Sequence, residues 1–183
     1  MAILGTEQED NRILVALALA LIDNPRASLQ ELAKAIGISK TTLYRFCRTR
    51  EQLIERLMTH GAFVLGEAIR TAELDSGPPL EALRRLIANN LEHRELTSFL
   101  MYFWKEGPEN LCEDSGWDAS LDAFFLRGQR EGLFRIDIPA AALTEILVNI
   151  MIGLSDAERR GRVARAGLAA LIESAFLQGT LAS

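Results

Sequence analysis

The stretch from 28 to 53, SLQELAKAIGISKTTLYRFCRTREQL, sets three helix starts within 26 residues. Ser28 with Glu31 three positions on reads as a capping box, in which side chain and backbone satisfy each other's unpaired groups. Gly37 follows where a helix turns left-handed and stops. Ser39 caps a second helix of about two turns, from Lys40 to about Phe46. Thr49 with Gln52 opens a third, reaching about Glu73. Leu29, Leu32, Ala33 and Ile36 form an apolar stripe on the first of these helices, and Ile38 and Leu43 return to the same core. Two helices joined through one glycine turn cross steeply, which leaves Lys40, Thr41, Thr42, Tyr44 and Arg45 facing outward.

The rest of the chain keeps the same period. Apolar residues recur at helical spacing, and no stretch alternates with period two over enough residues for a sheet, so the expected fold is all-α with nine helices. Those outside the segment above fall at 7–23, 79–93, 95–105, 117–131, 139–156 and 160–178. Asn24-Pro25 stops the first, and Asp75-Ser76-Gly77-Pro78-Pro79 is the clearest break in the sequence. Gly107 to Gly116 reads as a loop, Pro139 as a helix start and Gly132 as a stop. The domain reading is a head over 1–48 and, over 49–183, a long linking helix with a C-terminal domain.

A net charge of -5 argues on its face against binding nucleic acid, because phosphates need Lys and Arg. The average hides an asymmetry: residues 26–56 carry seven basic side chains against three acidic, leaving thirteen against twenty-two elsewhere. A short basic segment on an acidic body suits a DNA-reading module, and the outward face of the third helix suits a major groove and its phosphates. Only Arg12 is basic before residue 26, and Glu7, Glu9 and Asp10 repel phosphate, so no N-terminal arm is expected in the minor groove.

Cys47 and Cys112 are too few for a disulfide framework or zinc site, which implies a reduced, cytoplasmic protein. Cys47 reads as a small buried packer or, with Arg45, Arg48 and Arg50 nearby, as a redox-sensitive thiol. The apolar run from Ile13 to Ile22 follows acidic residues, lacks a cleavage site and is too short to span a bilayer, so neither a signal peptide nor a membrane association is expected. No nucleophile elbow, phosphate loop or paired catalytic carboxylates occur in the sequence, and His60 and His93 stand alone. The expectation is a non-enzyme with no catalytic residues, metal or cofactor.

The segment resembles the DNA-binding signature of the TetR family of transcriptional regulators, with Ala33, Gly37-Ile38-Ser39-Lys40, Thr42-Leu43-Tyr44, Arg50-Glu51 and Leu53 in register. The likeness covers roughly residues 12–58 and departs from the family at Phe46 and Cys47, where His or Tyr and an aromatic are usual. The resemblance implies a homodimer that binds a pseudo-palindromic operator in double-stranded DNA, most often as a repressor. It places Lys40, Thr41, Thr42 and Tyr44 at the groove, lets Gln30 reach a base and has Arg50 clamp a phosphate. Ser28, Ser39 and Arg45 complete the expected DNA-binding set.

For the C-terminal domain the resemblance implies an effector pocket, for a small apolar or aromatic molecule, among the helices that carry most of the aromatic side chains: Phe99, Tyr102, Phe103, Trp104, Trp117 and Phe124. Such stripes also serve as plain core. Asn89, Asn90 and Asn149 read either as pocket hydrogen-bonders or as surface and interface residues. The alternative is a C-terminal domain that docks a protein partner and takes no small molecule; a closed apolar cavity favours the sensor, a filled core with an exposed apolar patch the platform. The last two helices carry apolar stripes, Ile146, Leu147, Ile150, Met151 and Leu154 on one and Leu168, Leu171, Ile172, Ala175 and Phe176 on the other. They are the expected four-helix dimer interface.

Overall fold

The computed structural model describes residues 2–103 and 116–181, with helices and no named strand among them. In chain order they are α1 (Ala2–Asp23), α2 (Leu29–Ala35), α3 (Lys40–Tyr44), α4 (Arg50–Thr71), α5 (Pro79–Glu92), α6 (Arg94–Phe103), α7 (Trp117–Arg130), α8 (Ala140–Arg159) and α9 (Leu168–Thr180). Most of the expected loop after α6, together with Trp104 and Cys112, lies outside the described residues.

Contacts divide the chain into two compact units. Met1–Phe63 with Glu95–Leu111 forms the first, and Val64–Arg94 with Cys112–Ser183 the second. The helix α4, expected to belong wholly to the C-terminal part, contributes to both. In the first unit Leu17, Leu21, Leu32, Leu43, Leu53 and Leu57 are buried together with Leu96, Phe99 and Phe103. Gly61 lets α6 come close to α4: a Cβ there would lie 3.2 Å from Leu100 Cγ.

The second unit is built round four phenylalanines. Phe124, Phe125, Phe134 and Phe176 meet edge-on or tilted, with centroids 5.0 to 6.0 Å apart. Edge-to-face contacts of this kind add to the hydrophobic gain of burying the rings. Leu83, Leu86, Leu143, Leu147, Met151 and Ile172 close the cluster. Polar ties flank it: Arg84 pairs with Glu173 at 2.8 Å, and the buried Thr144 hydroxyl donates to Asp122 at 2.6 Å.

The end of the chain differs from the expected helix at 160–178. The helix α8 continues to Arg159, where Gly161 N–H donates to Glu158 O and Arg162 N–H to Ala157 O, closing it in a Schellman turn. Gly161 and Gly167 both have positive φ, at 72° and 82°, so α9 begins only at Leu168. The helix α8 is also long and apolar enough to cross a membrane, with a mean hydropathy of 1.4, and 28% of that stretch is buried inside the chain. Its inner residues Leu143, Leu147 and Met151 belong to the core, as expected of a bundle helix with one covered and one open face.

Candidate nucleic-acid interface and ligand cleft

The turn between α2 and α3 is closed as its sequence requires. Gly37 adopts φ 72°, Gly37 N–H donates to Lys34 O and Ile38 N–H donates to Ala33 O at 2.9 Å. A residue with a side chain is strained at such a φ, so the glycine fixes where α2 stops. Ser28 Oγ accepts from Glu31 N–H while Ser28 N–H donates to the Glu31 carboxylate at 2.7 Å, and this bond holds the carboxyl below its ordinary range. Ser39 Oγ accepts from Thr42 N–H at 3.0 Å. Both serines, expected among the DNA-binding residues, thus spend their hydroxyls on the helix starts. Thr49 Oγ1 accepts from Gln52 N–H as expected, but the Gln52 side chain accepts from Arg48 N–H, one residue beyond the usual capping box.

Of the outward residues, Gln30, Lys40 and Thr41 are exposed, and Thr42 and Tyr44 half-buried. The Lys40 ammonium and Arg48 guanidinium lie 5.3 and 5.5 Å from the Tyr44 ring centroid, within cation–π range. Arg48 is exposed and was missed in the sequence; its signal was only its place in the basic segment. Arg45 pairs with Asp10, in the first half of α1, at 2.7 Å, so α1 positions a cation just past the end of α3. Arg50 donates to Pro25 O at 2.7 Å and lies over the Phe103 ring, fastening the α1–α2 connection. Cys47 is buried, and that burial pushes its thiol up, with the Arg56 charge opposing; a redox-sensing thiolate needs the opposite shift.

The aromatic residues expected to line one pocket are divided between the units. Phe99 and Phe103 are buried in the first, stacked 4.7 Å apart, and Tyr102 is exposed there. Trp117 and Phe124 belong to the second, where they line a cleft of about 530 Å³ with Gly66, Ile69, Leu74 and Ala123. The polar residues Asn89 and Asn149 hold helices: Asn89 donates to Ala68 O and Thr71 Oγ1, Asn149 to Glu145 O. One wall of the cleft is the α4–α5 turn, held by two arginines. Arg85 donates to the carbonyls of Ala72, Glu73 and Ser76, and Arg127 to those of Leu74 and Gly77. Glu73 is held in this turn at φ 48°.

The expected dimer stripes mix two faces. Leu147, Leu168 and Ile172 are buried in the chain's own core, because periodicity shows that a helix has an apolar stripe but not which neighbour covers it. Ile146, Leu171 and Ala175 are exposed, and Ile150 and Leu154 are half-buried.

A capped helix, a glycine turn and a second capped helix with a basic outer face define a helix-turn-helix DNA-binding protein. The model of the winged helix-turn-helix DNA-binding family matches residues 10–49, that is most of α1 with α2 and α3, although here α3 leads into another helix. The HTH-type transcriptional regulator NfxB of Pseudomonas aeruginosa is 48% identical over 176 residues, covering 93% of each chain. The HTH-type transcriptional repressor LfrR of Mycolicibacterium smegmatis is 33% identical over 96 residues, 52% of this chain and 51% of that one. A solved structure of the TetR-like regulator LfrR in complex with proflavine superposes with a TM-score of 0.73 at 24% identity, covering 98% of this chain and 99% of that one. The TetR family regulator PfmR of Thermus thermophilus superposes with a TM-score of 0.71 at 22% identity, covering 91% and 97%. The chain belongs to the TetR family of transcriptional regulators.

Proposed function

We propose that this regulator is a ligand-responsive repressor that binds a pseudo-palindromic operator as a homodimer. The observation that carries the reading is the outer face of α3 and the turn after it, where Lys40, Thr41, Tyr44 and Arg48 stand on a segment with four more basic than acidic residues. One such short reader has limited specificity, whereas two held about 34 Å apart meet successive major grooves on one face of the duplex. The open faces of α8 and α9, with Ile146, Leu171 and Ala175, supply an apolar surface for pairing. The effector is a small apolar or aromatic molecule held in the second unit; the cleft beside Trp117 and Phe124 supports that reading. Ligand and operator favour different separations of the two heads, and each weakens the other by the same factor, about 1–3 kcal/mol of coupling. The reading places the protein in the cytoplasm with its DNA and requires no cofactor, membrane or turnover.

Tyr44→Ala is expected to weaken operator binding in a fluorescence anisotropy titration with helicity unchanged, and Leu171→Glu to yield monomers by sedimentation. Operator affinity undiminished in the first variant, or an unmodified protein that sediments as a monomer at micromolar concentration, overturns the reading.

A further inference from the structure

Asp10 belongs to the acidic stretch of α1 that charge alone sets against DNA, yet its carboxylate is bonded to the DNA-binding surface. The residue is half-buried, and its neighbour Asn11 accepts from His60 Nε2 at 2.6 Å, so this part of α1 is tied to α4. From there the Asp10 carboxylate accepts from Arg45 Nη2 at 2.7 Å. Arg45 caps α3 at its C-terminal end and is still in helical conformation, with φ -72° and ψ -27°. It therefore stands one turn beyond the exposed Thr41 on the same side of the helix. Its guanidinium also lies 5.7 Å from the Phe46 ring centroid, within cation–π range.

Among the described residues the bond from Nη2 is the only hydrogen bond of this guanidinium, which leaves most of its N–H donors for a further acceptor. The Arg45 side chain is 57% exposed and that of Asp10 34%, so the cation is the outer member of the pair. A pair so exposed adds little to stability. What it changes is freedom. A long arginine side chain is costly to immobilise at an interface, and one already held by a carboxylate and a ring loses less on binding. The open N–H groups of a guanidinium match the oxygens of a phosphate. We infer that Asp10 is a positioning residue for DNA binding: it holds Arg45 with its free N–H groups toward a phosphate, so that an acidic side chain strengthens the grip on DNA. This rests on the DNA-binding part of the reading above and adds to it a residue on α1.

The sign of one substitution decides it. Charge alone predicts that Asp10→Asn binds DNA more tightly, whereas positioning of Arg45 predicts weaker binding, by at least about threefold. The probe is a fluorescein-labelled duplex that the unmodified protein selects from a random-sequence pool, titrated by anisotropy over a range of potassium chloride concentrations. Arg45→Ala is expected to reduce the slope of log affinity against log salt by about one per protomer bound, and Asp10→Asn to leave the slope as it is. In the Arg45→Ala background Asp10→Asn is expected to cost nothing further, because the group it acts through is gone. A fold damaged by Asp10→Asn would weaken binding in both backgrounds, so the second background separates positioning from folding. Glu9→Gln removes the exposed neighbouring charge, which has no ion pair among the described residues, and is expected to bind no more weakly than the wild type. Unchanged or tighter binding by Asp10→Asn, a steeper salt slope in that variant, the same loss in both backgrounds, a matching loss in Glu9→Gln, or an unchanged slope in Arg45→Ala overturns the inference and leaves the DNA-binding reading standing. An unmodified protein that selects no duplex overturns both.

Discussion

Replacing Gly128 by Ala tests how tightly the core of the second unit is packed. Gly128 lies in α7, and a Cβ built on it falls 2.4 Å from both Cδ2 and Cε2 of Phe134, about 1 Å inside ordinary contact. Phe134 is fully buried, and Phe124, Phe125 and Phe176 surround it with centroids 5.2 to 6.0 Å away, so the ring has no open side to move into. In a helix interior alanine gains about 1 kcal/mol over glycine. Overpacking a well-filled core costs about 1–3 kcal/mol and more where no neighbour yields; an overlap of this size on a fully enclosed ring lies at the upper end. The net expected loss is therefore about 1–2 kcal/mol, which in a chain of this length lowers the melting temperature by about 2–8 °C. Circular dichroism melts of the wild type, Gly128→Ala and Gly128→Ala with Phe134→Leu measure it, and the smaller side chain is expected to recover part of the loss. A single variant as stable as the wild type or more so shows that propensity outweighs the overlap and refutes the packing argument.

Arg48→Ala is expected to weaken operator binding for all sequences alike and to reduce the slope of log affinity against log salt by about one, as loss of one phosphate contact does; an unchanged slope removes Arg48 from the interface. Ser28→Ala removes the hydroxyl that accepts from Glu31 N–H and donates to the Glu31 carboxylate, leaves the backbone half of the capping box, and is expected to cost about 1 kcal/mol, read from urea unfolding. The Ser28 N–H and then the Ser28 hydroxyl hold the Glu31 carboxyl below its ordinary range, a contribution present above the ordinary glutamate range and lost as pH falls through the folded value; the variant keeps the backbone bond, so the gap between wild type and variant narrows in acid only by the hydroxyl's share. Thr144→Val leaves Asp122 without its hydroxyl donor at nearly constant volume and is expected to destabilise the second unit by about 1 kcal/mol, with operator contacts intact once folded.

Much of the helix-turn-helix was legible because its determinants are local. Ser28, Glu31, Gly37 and Ser39 act within four residues of themselves, and the structure places each at the cap or turn that its chemistry demands. What the sequence left hidden depends on distance along the chain. Asp10 reaches Arg45 across 35 positions, and no local pattern announces such a pair. The aromatic residues 99–104 and 117–124 looked like the lining of one pocket, yet Phe99 and Phe103 pack in one unit while Trp117 and Phe124 line a cleft in the other. The start of α9 was misplaced for a different reason. Apolar Val163 and Leu168 continue a helical period that the positive φ of Gly161 and Gly167 interrupts, and glycine permits such a turn without requiring it.

The two arginines that hold the α4–α5 turn grip it by the main chain alone. Arg85 and Arg127 together bond five carbonyls, and every residue type presents a carbonyl. The turn's identity as a shape is therefore inherited separately from its side chains. Positions 75 and 76 tolerate almost any exchange with the grip intact, and position 73 tolerates those residues that accept a left-handed backbone, such as Gly or Asn. A descendant of this protein can thus reverse the charge at the mouth of its cleft by one or two substitutions without rebuilding the helices behind it.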